Sequence, residues 1–180
     1  MNTNYSKTAI GLHWMMAAFI FLTFPLGVVM HDLALSPLKL RLISYHKWLG
    51  VTILLLAVVR LVWRATHTPP PLPESIPHWQ QRAAGSLHTL LYVLLFLIPV
   101  SGWLMSSAKG FPVVYLGLVP LPDLLPKDKA LAELLTETHE LLNYAMLLLL
   151  GMHIAAALKH HFIDHDSTLR RMLPFIQGKK

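Results

Sequence analysis

The 180-residue chain contains no cysteine. That excludes disulfides, thiolate-bound zinc, iron–sulfur clusters and covalent c-type haem attachment. Charge is also scarce. Only 13% of residues are Asp, Glu, Lys or Arg, against about 25% in a typical soluble domain. Internal repeats and low-complexity segments are absent. What fills the space is apolar: 54% of the residues are hydrophobic and the mean hydropathy is +0.52. So much apolar surface must face lipid, which marks an integral membrane protein. The net charge of +6 does not argue for nucleic acid, because the basic residues flank apolar spans and serve as membrane anchors.

Hydropathy divides residues 1–180, read as a single transmembrane domain, into four spans: 8–30, 43–63, 85–108 and 139–158. Each approaches the ~20 residues that cross a ~30 Å hydrocarbon core at about 1.5 Å per residue. The expected fold is an all-α, up-down-up-down four-helix bundle with a cofactor-binding core. Pro25 and Pro99 fall inside spans and are expected to kink them. The first run is longer than a leader's apolar region and no small-x-small site follows it, so cleavage is not expected. The linker 66–79, "THTPPPLPESIPHW", is proline-rich and extended. The linker 109–137 is partly apolar and is expected to lie on the membrane surface and end in a short helix.

Nine lysines and arginines (Lys7, Arg60, Arg64, Arg82, Lys159, Arg170, Arg171, Lys179, Lys180) fall on the side of the two termini and the second linker. Six (Lys39, Arg41, Lys47, Lys109, Lys127, Lys129) fall on the other side. The excess is expected to put both termini of a multi-pass membrane protein in the cytoplasm.

Eleven histidines are the unusual content. "THELLNYAMLLLLGMH" carries His139 and His153 on one span, fourteen residues apart. That is about 21 Å of rise, with a rotation about 40° short of four turns. Both rings therefore point to nearly the same side at two depths. Threading the spans puts His46 with His139 in an outer layer. His153 lies in an inner layer with His13 or His88. Two imidazoles on facing helices can hold one haem iron axially, and bundle cores are where such groups sit. Arg60 repeats the fourteen-residue spacing after His46, at the inner depth, where a haem propionate would be a natural partner. Gly50, one turn after His46, would let a flat macrocycle approach.

A single intramembrane histidine is explained as well by a hydrogen bond between helices. Four histidines in two layers are not. Zinc suits imidazole too, but its ligands converge on one point as a tetrahedron, which two layers do not provide. A histidine-lined metal transporter is therefore disfavoured. Trp14, Trp48, Trp63 and Trp103 read as an interfacial belt, the methionines as packing, and His78, His161 and His165 as solvated or at the headgroup level.

Together, "GLHW" (11–14), "YHKWLG" (45–50), "VVRLVWR" (58–64), "SLHTLLY" (86–92), "HELLNYAMLLLLGMHIAAALKHHF" (139–162) and "DSTLRRM" (166–172) resemble the bacterial cytochrome b561 family over nearly the whole chain. The resemblance implies two b haems, one held by His13 and His153 and the other by His46 and His139. It implies a quinone site near His88 and His160, with Lys159 and Arg82 gathered on the same side by topology. It also implies oxidoreductase activity like that of a superoxide oxidase, which passes electrons from superoxide to ubiquinone. Lys39, Arg41 and Lys47 would then form a basic funnel for the anion, or simply anchor the interface. The alternative implied role is an electron-conduit subunit serving a separate dehydrogenase or hydrogenase, a redox partner protein for which the tails offer no evident docking domain.

Overall fold

The computed structural model describes residues 5–71 and 76–173. The central part of the proline-rich linker, and Lys179 and Lys180 from the charge count, lie outside the described residues. Four long helices make the fold: α1 (Lys7–Asp32), α2 (Pro37–Thr66), α3 (His78–Ala108) and α4 (Lys129–Phe162). Each is apolar and long enough to cross a membrane. They form the expected all-α bundle, with α1 against α2, α2 against α3, and α3 against α4.

Every helix outruns its hydropathic span, because hydropathy marks only the stretch that lipid must cover. The starts of α1, α2 and α4 are set by capping side chains instead. Ser6 accepts from Ala9 N–H and Ser36 from Lys39 N–H, each at 3.2 Å. Asp128 accepts from Leu131 N–H at 2.9 Å. These bonds satisfy amides that a helix N-terminus leaves open. Pro37 at the start of α2 uses the position where its missing N–H is harmless. Pro25 and Pro99 both lie within continuous helices. The helix expected at the end of the second long linker is the first part of α4 itself, because nothing in "KALAELLTETHE" interrupts helix formation after the Asp128 cap.

The chain between α3 and α4 folds into a small antiparallel hairpin, β1 (Val114–Tyr115) with β2 (Val119–Pro120). Leu116 and Gly117 turn it at positive φ, 54° and 72°. Glycine takes that conformation freely; a branched residue rarely does. The hairpin is pinned to the bundle. Trp48 Nε1 donates to Val114 O at 2.7 Å, Trp103 Nε1 to Pro122 O at 3.1 Å, and Thr52 Oγ1 lies 3.0 Å from the Tyr115 hydroxyl. Two of the expected belt tryptophans thus hold a connecting segment. At the other end, Trp14 Nε1 donates to Met172 O at 2.8 Å and Arg171 donates to Pro71 O, strapping the tail across α1 and the linker.

The centre of the bundle is Met16, Ile53, Ala57, Leu94, Leu95 and Met146. Met146 stands seven residues from both His139 and His153. The dry core therefore separates two polar layers.

Candidate functional site

In the outer layer α2 brings His46 and α4 brings His139 together, with ring centroids 6.3 Å apart and planes at 80°. Both line an apolar cavity with about 1000 Å³ of empty space, part of it open to the surroundings. Ile20, Phe24, Leu94 and Met146 are among its walls, and Gly50 lies on it as expected. A Cβ on Gly50 would meet nothing within 4 Å.

Three residues that the sequence reading passed over shape this layer. A Cβ at Gly27 would sit 3.1 Å from His46 Cε1, and one at Gly102 would sit 3.0 Å from His139 Cε1. The two rings therefore lie directly on the backbones of α1 and α3. Ser101 Oγ donates to Ile98 O at 2.8 Å and lies 3.0 Å from His139 Nδ1. With its one hydrogen spent on the carbonyl, the hydroxyl accepts from the ring. His139 then carries its proton on Nδ1 and offers a lone pair on Nε2. His46 Nδ1 faces α1, buried and without a hydrogen-bond partner among the described residues. The readable signal was the Ser-Gly pair at 101–102, since small residues in a span permit close helix approach.

The inner layer gathers His13 from α1, His88 from α3 and His153 from α4. His13 and His153 stand 6.2 Å apart by ring centroid, and His88 and His153 stand 5.3 Å apart. Arg60 reaches this layer, as its spacing predicts. Its Nη2 donates to His13 Nδ1 at 3.0 Å, and its guanidinium lies 5.5 Å from the Tyr92 ring centre. Arginine only donates, so His13 Nδ1 accepts here and the proton of the neutral ring stands on Nε2.

The four residues expected near a quinone are not joined by hydrogen bonds or ring contacts. His88 belongs to the inner histidine group. Lys159 and His160 share a carboxylate cluster after α4. Arg82 lies on a shallow groove with Gly85, Ser86, Thr89 and Leu90. Of the outer basic residues, Lys39 donates to His31 O and Leu33 O, closing the end of α1. Lys47 donates to Phe111 O and Pro112 O at 3.0 and 3.3 Å and also lines the outer cavity. Arg41 is exposed. His78 and His165 are exposed as expected. His161 differs, with a buried Nδ1 that lacks a partner among the described residues.

Four membrane-crossing helices with imidazoles grouped at two depths define an all-α membrane bundle equipped to hold a cofactor in its interior. The chain belongs to the prokaryotic cytochrome b561 family, whose sequence profile matches residues 4–175. It is 36% identical to cytochrome b561 homolog 2 of Escherichia coli (strain K12) over 171 residues, 94% of this chain and 90% of that protein. Homolog 1 of the same organism is 30% identical over 181 residues, 94% and 97% of the two chains. The probable superoxide oxidase CybB of Yersinia pestis is 29% identical over 189 residues, covering 99% and 100%. Membership makes this a multi-pass bacterial membrane protein that binds haem b and transfers electrons.

Proposed function

We propose that the chain holds two b haems, one between His46 and His139 and one between His13 and His153, and carries electrons from superoxide to ubiquinone. The observation that carries this reading is the pair of ring separations, 6.3 and 6.2 Å. A metal–imidazole bond is about 2 Å, and the ring centre lies roughly 1 Å behind the nitrogen. Two rings on one metal therefore stand on the order of 6 Å apart. His88 and His153, at 5.3 Å, are closer than that. At the outer pair, the His139 tautomer leaves Nε2 free for a metal. At the inner pair, His13 would hold the metal through Nε2 with its proton on Nδ1, and the Arg60 guanidinium, no longer bonded to that nitrogen, would suit a carboxylate of the cofactor.

Haem b supplies reversible one-electron chemistry when bound. The protein supplies the rest. Its two layers, about 21 Å apart by helical rise, span most of the membrane. Lys47 puts a cation on the outer cavity, which raises the local concentration of an anion such as superoxide. The excess of basic residues around the termini orients that cavity to the periplasm of the inner membrane. At the cytoplasmic end, His88, His160, Lys159 and Arg82 offer hydrogen-bond donors for quinone carbonyls, and the histidines can hold protons for their reduction.

Purified protein should carry two haems, be reduced by superoxide and be reoxidised by ubiquinone. The reduced-minus-oxidised spectra of His13→Ala and His139→Ala should each lack a different haem. Loss of neither sinks the ligand assignment. Haems that superoxide leaves oxidised, but a co-purifying dehydrogenase reduces, would instead make the chain a conduit subunit.

A further inference from the structure

The segment after α4 does more than end the chain. His160 Nδ1 lies 2.7 Å from Asp166 Oδ2 and 3.1 Å from Asp164 Oδ2. Asp164 is already engaged by the Lys159 ammonium, so the shorter bond goes to a carboxylate with no lysine or arginine partner among the described residues. The other oxygen of Asp166 accepts from Thr168 N–H at 2.7 Å, and its own N–H donates to His160 O at 3.0 Å. Both side chains are largely enclosed, 9% exposed for Asp166 and 15% for His160. Burial alone would raise the Asp166 carboxyl, but hydrogen bonds from Thr168 and His160 outweigh it and hold it below the usual carboxylate range. Among the described residues, His160 Nε2 makes no hydrogen bond.

We propose that Asp166 is a positioning residue that holds the Nδ1 proton of His160 and so keeps Nε2 as the nitrogen that passes protons to the electron acceptor. The inference rests on the quinone site proposed above. Quinone takes two electrons and two protons to become quinol. Two superoxide anions, each oxidised to O2, supply the electrons in the reading above. In its doubly protonated form, His160 gives one proton from Nε2 to one quinone oxygen and is reprotonated from water, while the second proton reaches the other oxygen from water. Asp166 stays ionised and keeps hold of Nδ1–H throughout. A carboxylate that fixes the tautomer and orientation of an imidazole is a recurrent device for proton transfer. The turn "DSTLRRM" supplies it here, and the strap to Trp14 and Pro71 holds the turn in place.

The test compares reoxidation of the reduced protein by ubiquinone and by ferricyanide, which accepts an electron without a proton. Asp166→Asn keeps an oxygen for Thr168 N–H and removes the charge. It should slow the quinone reaction by about tenfold or more, raise its solvent deuterium isotope effect, and leave the ferricyanide rate unchanged. Asp166→Glu should recover part of the quinone rate. Equal slowing with both oxidants would mean a structural role only and overturn the inference. So would an unaltered quinone rate in Asp166→Asn when His160→Gln is slow. If His160→Gln itself reacts normally with quinone, the quinone site is wrong and this inference goes with it. A measurement on the unaltered protein stands apart from folding of the variants. The nitrogen resonances of neutral His160, assigned by their loss in His160→Gln, should report a protonated Nδ1, and the opposite tautomer overturns the proposal.

Discussion

Ser101 stands between a ring and a carbonyl, and its single hydroxyl hydrogen decides which nitrogen of His139 is left for a metal. Removing it in Ser101→Ala should weaken haem binding at the outer site about 10- to 100-fold, the usual effect of deleting a group that orients a ligand. Haem titration of the purified variant checks this, with the inner haem retained in full. Gly102→Ala tests the same ring from its other side. Its Cβ would arrive 3.0 Å from His139 Cε1, forcing the imidazole to shift by a few tenths of an ångström. On the proposed two-haem reading, the outer haem's spectrum and potential should move and the inner haem's should not. At this scale the histidines were legible, because an ionisable group inside an apolar span stands out against its neighbours. Ser101 and Gly102 left only the weak signal of paired small residues, and Gly27 left none. Small residues are common in membrane helices, and their meaning depends on what another helix presses against them.

The helices depend on caps that hydropathy does not register. Asp128 caps α4 eleven residues before the first histidine of that helix. Asp128→Ala should lower stability by about 1 kcal/mol, seen as a lower thermal midpoint with the haem content unchanged. The turn after α4 responds to pH. Because the folded protein holds the Asp166 carboxyl below its usual range, the turn's stabilisation is complete above about pH 4, the ordinary carboxyl value. It is lost as pH falls through the depressed folded value. Trp14, whose indole donates to Met172 O, should report that release as a fluorescence change, and Asp166→Asn should abolish its pH dependence. The sequence reading located all four helices. It placed their ends short, and it read the end of the 109–137 linker as a short helix of its own rather than the start of α4. Polar helical turns beyond the lipid carry no apolar signal.

For the molecule as a whole, the proposed orientation has an unusually direct test, since the chain holds no cysteine. Ala34→Cys, between α1 and α2, and Ala65→Cys, near the end of α2, are both exposed positions. In intact cells a membrane-impermeant maleimide should label the cysteine introduced at position 34 and spare the one at 65. The reverse pattern would overturn the orientation drawn from nine basic residues against six.

By itself the sequence determined a membrane protein of four apolar helices with histidines at two depths. Composition and a fixed rise per residue suffice for that, since both act along a single segment. Helical spacing alone left His13 and His88 as equal partners for His153. Their distances from His153, 6.2 and 5.3 Å, come only from the tertiary structure, and only it joined Asp166 to His160 and Ser101 to His139. Which side chains meet across a bundle depends on how helices rotate and press together. That follows from packing among all four helices and is written in no one of them.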